Sequence, residues 1–398
     1  MNPALFDDLR RSLEAEGPAR AVEQLCSALR ADKDYANLFY ALLMKKRLEL
    51  GAPIIDGGSA QNLLPEPMQT AYEDAIRESA RLVGNLYLED RDIPRAWPYF
   101  RLIGEPQPVA DALDRYQPGP DDDCQALVDI ALYQGVHPRK GFDLVLERNG
   151  ICNAITLMSG EFPYGPDIRE YCVGRLVRAL YEQLRERLAS DVASREGTDT
   201  TGLSVRQLIT GRDWLVDDDF YHVDVSHLSA VVQMSIHLSS ADDLVKAREL
   251  CAYGARLSPR FQYAGPPPFE DTYKDHDLYL GVLTGEQVEE GLAHFRAKAE
   301  KANPESDGTY PAEVLVNLYL RANRPADALA AARQYLAGVD DRQLSCPSIA
   351  QLCQRLGDYD ALADVSRQRQ DPVNFLAGLI ASRRGNSGPP PGLSEPRS

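Results

Sequence analysis

No stretch of this sequence runs 18 apolar residues without a polar interruption, so no segment has the length to cross a bilayer as a helix. The start, Met1-Asn2-Pro3-Ala4-Leu5-Phe6-Asp7-Asp8, has neither a basic n-region nor an apolar h-region, and a cytoplasmic protein is therefore expected. A Cys-x-x-Cys pair is missing too. The seven cysteines, Cys26, Cys124, Cys152, Cys172, Cys251, Cys346 and Cys353, are odd in number, which points to reduced thiols packed as small core residues. Basic charge is scarce: 43 Lys and Arg face 60 Asp and Glu, and the formal charge of -17 repels nucleic acid and anionic membranes at long range. The phosphate-binding patterns Gly-x-x-x-x-Gly-Lys-Ser/Thr and Gly-x-Gly-x-x-Gly are lacking, as is the hydrolase elbow Gly-x-Ser-x-Gly. No cofactor is expected.

What is present is a folded composition, 44% hydrophobic and 26% charged, arranged with helical rather than alternating periodicity. The pattern predicts helices over residues 3–15, 18–31 and 35–50, then a Gly-rich connection over 51–67 and a helix over 68–86. Further helices are expected over 124–134 and 138–148, the first preceded by the acidic run Asp121 to Asp123. Gly165-Pro166 opens the longest helix, in which Cys172, Leu176, Leu180, Leu184 and Leu188 recur every fourth residue and should face the core. The helical pattern lapses over 196–225, an irregular acidic insertion with a short helix over 205–209 and the run Asp217 to Asp219. The chain thus reads as an N-terminal helical region over 1–195, the insertion, helical repeats over 226–381 and a disordered tail over 382–398.

Within the repeats, Ala312, Leu315, Val316, Tyr319, Asn323 and Pro325 recur 34 residues later as Cys346, Ile349, Ala350, Cys353, Gly357 and Tyr359. Val231, Met234, Ser235 and Leu238, followed by Ala247, Gly254 and Pro259, read as an earlier unit; Leu315, Ile349 and Met234 should be buried. Helices over 270–283 and 286–302 form a more degenerate pair between them. These units resemble tetratricopeptide repeats. The resemblance implies an all-α fold, a right-handed α-solenoid of antiparallel helix pairs, with the first helix of each pair lining a concave groove.

By that resemblance the groove would be lined by Glu313, Asn317 and Arg321, then Gln351, Gln354 and Arg355, with Ser229, Val232, Ile236 and Ser239 further along. Arg321 and Arg355 offer guanidinium forks for carboxylates, and Asn317 an amide that both donates and accepts. The expected activity is that of a scaffold or adaptor whose partner is a protein or peptide with an acidic or carboxylate-ended segment.

An alternative lies in four of the six histidines, His222, His227, His237 and His276, accompanied by Asp224, Glu270, Asp271, Asp275 and Asp277. Two imidazoles and a carboxylate, drawn from His222, Asp224, His227 and His276, would suit a zinc or iron site of a metal-dependent hydrolase. Spacing weighs against it. His222 and His227 lie about 140° apart on an ideal helix, and His-Glu-x-x-His is absent. Asn303 to Gly308 imitates a calcium loop, but Val314 stands where the bidentate acid is needed.

Overall fold

A computed structural model of the chain describes residues 4–54, 65–119, 122–303 and 305–385. Among the described residues there is no strand; nineteen α-helices follow one another, and most pack on their neighbours in sequence. No described helix is long and apolar enough to cross a membrane. The chain divides after Asn153 into two compact units.

The first unit contains α1 (Ala4–Glu16), α2 (Pro18–Ala31), α3 (Tyr35–Glu49), α4 (Glu66–Glu89), α5 (Ile93–Ile103) and α6 (Gln107–Arg115). Each packs on the next, from α1 on α2 through to α5 on α6. Gly84 lets α4 and α5 approach closely, since a Cβ there would fall 2.6 Å from the Phe100 ring. Tyr35, Phe39, Tyr87 and Tyr99 form a linked aromatic cluster, with Tyr87 and Tyr99 stacked at 5.8 Å. The helix expected over 124–134 is divided: α7 (Gln125–Val128) passes into a π-helical turn over Asp129–Tyr133. The next helix, α8 (Pro138–Ser159), outruns its expected end, and its backbone leaves the helical region at Gly150 (φ 80°, ψ 173°).

The second unit is organised around α9 (Pro166–Glu196), the longest helix. Cys172, Leu176, Leu180, Leu184 and Leu188 are all fully buried, as their fourfold spacing requires. Against α9 pack α10 (Val205–Ile209), α11 (Val225–Met234) and α12 (Ala241–Gly254). There follow α13 (Thr272–Thr284), α14 (Val288–Lys301), α15 (Tyr310–Arg321), α16 (Pro325–Tyr335), α17 (Ile349–Leu356), α18 (Tyr359–Gln368) and α19 (Pro372–Gly385). From α12 onward every helix packs on its successor. Leu315 and Ile349 lie in this core, whereas Met234 is only half-buried and Ser235 takes the interior place beside it. Cys251 and Cys353 are buried, and burial pushes both thiols up from their ordinary pKa.

Five of the turns between helices share one construction. At Asn323 and Gly357, 34 residues apart, the backbone enters the left-handed region (φ 58° and 68°). In each case the next N–H reaches back to a carbonyl in the preceding helix, Arg324 N to Tyr319 O (2.8 Å) and Asp358 N to Cys353 O (2.9 Å). Lys33, Arg91 and Gln370 make the same turn with φ between 56° and 63°. Asp34, Asp92, Asp358 and Asp371 follow the turn residue and accept a backbone N–H of the next helix. One residue thus closes a helix and the next opens another.

The 196–225 segment is anchored rather than loose: α10 and a 3₁₀ turn over Asp213–Asp219 interrupt it, and Val205, Leu208, Leu215 and Val223 are buried. Helix α19 continues through Gly385, so residues 382–385 of the expected tail are helical. The remainder of that tail, and residues 55–64 of the expected 51–67 connection, lie outside the described residues.

Candidate functional site

Of the six residues expected to line a groove, three are occupied in holding the fold. Glu313 is buried. Its carboxylate accepts from Thr309 Oγ1 (2.5 Å), Ser345 N (2.7 Å) and Ser345 Oγ (2.5 Å), pinning the segment before α17 to α15. Arg321 donates to the carbonyls of Ile236 and Leu238, more than eighty residues away in sequence, and its guanidinium lies 5.9 Å from the Tyr279 ring centre. Gln351 belongs to the capping box of α17, with its Oε1 2.9 Å from Ser348 N. Glu313 and Arg321, expected to face a partner, both have hydrogen-bond partners within the chain.

Asn317 is half-buried, its amide 3.5 Å from Ser345 O, and Gln354 and Arg355 are exposed on α17. Of the extension, Ser229 and Val232 are buried, and Ser239 is held by the Glu170 carboxylate.

The alternative histidine cluster does not assemble. Among the described residues no group of three or more His, Cys, Asp or Glu side chains is placed to hold a metal ion. Several of its members are engaged separately. His222 is buried, with Nδ1 3.1 Å from Tyr253 Oη and Nε2 3.2 Å from Asp191 Oδ2. Burial holds its pKa below the ordinary value, against the opposing pull of Asp191. Asp224 is the N-cap of α11, accepting from Ser226 N (2.9 Å) and His227 N (3.1 Å). His227 is half-buried in the first turn of that helix. His276 is buried and stacked on Phe269 at 4.2 Å, with Nδ1 2.6 Å from Thr272 O. Asp277 pairs with the buried Arg248 at 2.9 Å.

Burial brings the His276 pKa down to about 4, and the hydrogen bond that its ring donates to the Thr272 carbonyl only partly offsets it. A histidine with a lowered folded pKa contributes stability that is fully present above the unfolded value, about 6.5, and is lost as pH falls toward 4. We expect roughly 3 kcal/mol of unfolding free energy to disappear over that window through this group alone. Denaturant titrations of the native protein and His276→Gln between pH 7 and 4.5 check it. Parallel pH profiles would remove His276 as a source.

Two arrangements were missed in the sequence. The first is the surroundings of His222: Arg187, Ser190 and Asp191 from α9 and Phe220, Tyr221 and His222 line a cleft of about 230 Å³. Arg187 donates to His222 O (2.6 Å), and the exposed Tyr221 ring meets Phe261 at 5.3 Å. The volume is below the roughly 300 to 1,000 Å³ of small-molecule sites and suits one inserted side chain. The second is Asp275, buried on α13, which receives His294 Nε2 and Lys298 Nζ, both at 2.7 Å. Lys298 also reaches Glu270 at 2.5 Å. The spacing of His294 and Lys298, four apart on one helix face, was the available signal.

Comparison of the chain with known protein families, with curated proteins and with solved structures finds no match.

Proposed function

We propose that this chain is a cytoplasmic binding scaffold, a right-handed tetratricopeptide-like solenoid that recognises a protein or peptide with an acidic or carboxylate-ended segment. The repetition of α15–α16 by α17–α18 carries this reading: sequence pattern, left-handed turn residue and back-reaching hydrogen bond all recur after 34 residues. A chain of stacked helix pairs gives a long surface and requires no enclosed site. The small cleft beside His222 agrees with side-chain recognition in its size.

With Arg321 committed to Ile236 and Leu238, Arg355 becomes the cation that meets the partner's carboxylate, supported by Gln354 and Asn317. Reversal of Arg321 would strip two carbonyls of their donors and confuse folding with binding. Arg355→Glu is the clean probe. It should weaken binding of acid-ended peptides by more than about tenfold, about 1.4 kcal/mol, at unchanged helicity. Fluorescence anisotropy at low salt against a panel of such peptides measures it; equal affinities for native and variant protein would refute this surface.

A further inference from the structure

A cleft of about 720 Å³ lies within the first compact unit, where the end of α4, the start of α5 and the end of α6 meet. That is the size of a small-molecule site, roughly 300 to 1,000 Å³. Leu88, Ile93 and Ala112 supply its apolar lining, and the wall that follows α6 is held in place by hydrogen bonds. Tyr116 Oη and Gly119 N both donate to Asp122 Oδ2 at 2.8 Å, Lys140 Nζ donates to Tyr116 O at 2.7 Å, and Arg148 donates to Gly119 O. The cleft therefore stands formed without a ligand. Its charges fall into two groups. Asp122 is spent in the wall, where the Gly119 N–H, the Tyr116 hydroxyl and Arg148 hold its carboxyl below the usual carboxylate range. Arg91, Arg115 and Glu89 line the same cleft, are exposed, and have no side-chain hydrogen bond or ion pair among the described residues. With 60 acidic residues against 43 basic ones, guanidiniums in this chain find carboxylates readily, as Arg81 finds Glu105 and Arg212 finds Glu196. Two left unmatched in one cleft leave carboxylate-binding capacity there.

We propose that this cleft binds a small acid with one ammonium and two carboxylates, the pattern of an acidic amino acid, free or within a short peptide. Arg91 and Arg115 each take a carboxylate through the planar guanidinium fork, and Glu89 takes the ammonium. Charge selects this class of ligand. The free groups of the cleft are two cations and one anion, and the ligand presents two anions and one cation in return. A phosphate would satisfy the arginines but would face the Glu89 carboxylate. The volume leaves room beside the acidic residue for an apolar neighbour against Leu88, Ile93 and Ala112. The site belongs to the first unit and does not rest on the repeats of α15–α18.

Calorimetric titration of the full-length protein with L-glutamate and with the dipeptide Leu-Glu should give saturable binding, with dissociation constants below about 1 mM and the dipeptide the tighter. Tighter binding of L-glutamate would assign the cleft to the free amino acid. Arg91→Gln and Arg115→Gln change exposed, unpartnered side chains and should each weaken binding by at least about tenfold, at an unchanged circular-dichroism spectrum and unfolding midpoint. Glutarate lacks the ammonium. It should bind the native protein about tenfold less tightly than L-glutamate, and Glu89→Gln should erase that difference. No binding of either probe at about 10 mM overturns the proposal, as does binding indifferent to both arginine variants. Equal affinities of the native protein for glutarate and L-glutamate overturn the role of Glu89. Inorganic phosphate that competes as well as L-glutamate would show a general anion site instead.

Discussion

Leu315→Ala lowers the unfolding free energy by about 2 to 5 kcal/mol, because it removes a wholly buried side chain from the centre of α15 and leaves a cavity there. Position 315 is flanked by Val314, Val316, Leu318 and Tyr319, all buried, so little of the space can be reclaimed by collapse. The helix is also packed on α14 and on α16, and a loss in α15 is felt by both neighbours. In a chain of helices stabilised by adjacent interfaces, such damage spreads along the stack. Equilibrium denaturation with Leu356→Ala, partly exposed, as the comparison measures it. An unfolding midpoint equal to that of the native protein would remove Leu315 from the core.

Asp275→Ala comes next in size, at about 3 kcal/mol. The carboxylate is almost wholly buried and satisfies Lys298 Nζ, His294 Nε2 and the backbone N–H of Asp271 at distances between 2.7 and 2.9 Å. Deleting one partner of a buried ion pair strands the others, at about 3 to 5 kcal/mol. The lower end applies because Lys298 and His294 retain partial access to water and Lys298 keeps Glu270. A double-mutant cycle with Lys298→Met separates the pair from the rest: the combined variant should lose less than the sum of the two single ones. Additive losses, or a loss below about 1 kcal/mol for Asp275→Ala, would show that the cluster holds α13 and α14 only weakly.

The candidate site was legible in part. Gln354 and Arg355, which the resemblance set on a groove face, are exposed on α17. Glu313 and Arg321 carried the same polar signal, but Glu313 is buried and Arg321 is spent on two backbone carbonyls. Nothing local distinguishes a solvated arginine from one that caps distant carbonyls. His222 shows the same limit, since Asp191 and Tyr253, its two partners, each lie 31 residues away.

The sequence by itself determined the helices and their inner faces, because both depend on a period of about 3.6 residues that is written in neighbouring positions. It also determined the 34-residue repeat, whose turn residues Asn323 and Gly357 suit the left-handed backbone that they adopt. It did not determine the turns at Lys33, Arg91 and Gln370, where side chains that ordinarily avoid that region are held in it by helix packing on either side. Tertiary structure alone decided which polar side chains were used up. A hydrogen bond between Arg321 and Leu238 exists only because the fold carries two segments 83 residues apart to the same place, and that proximity has no counterpart in local composition.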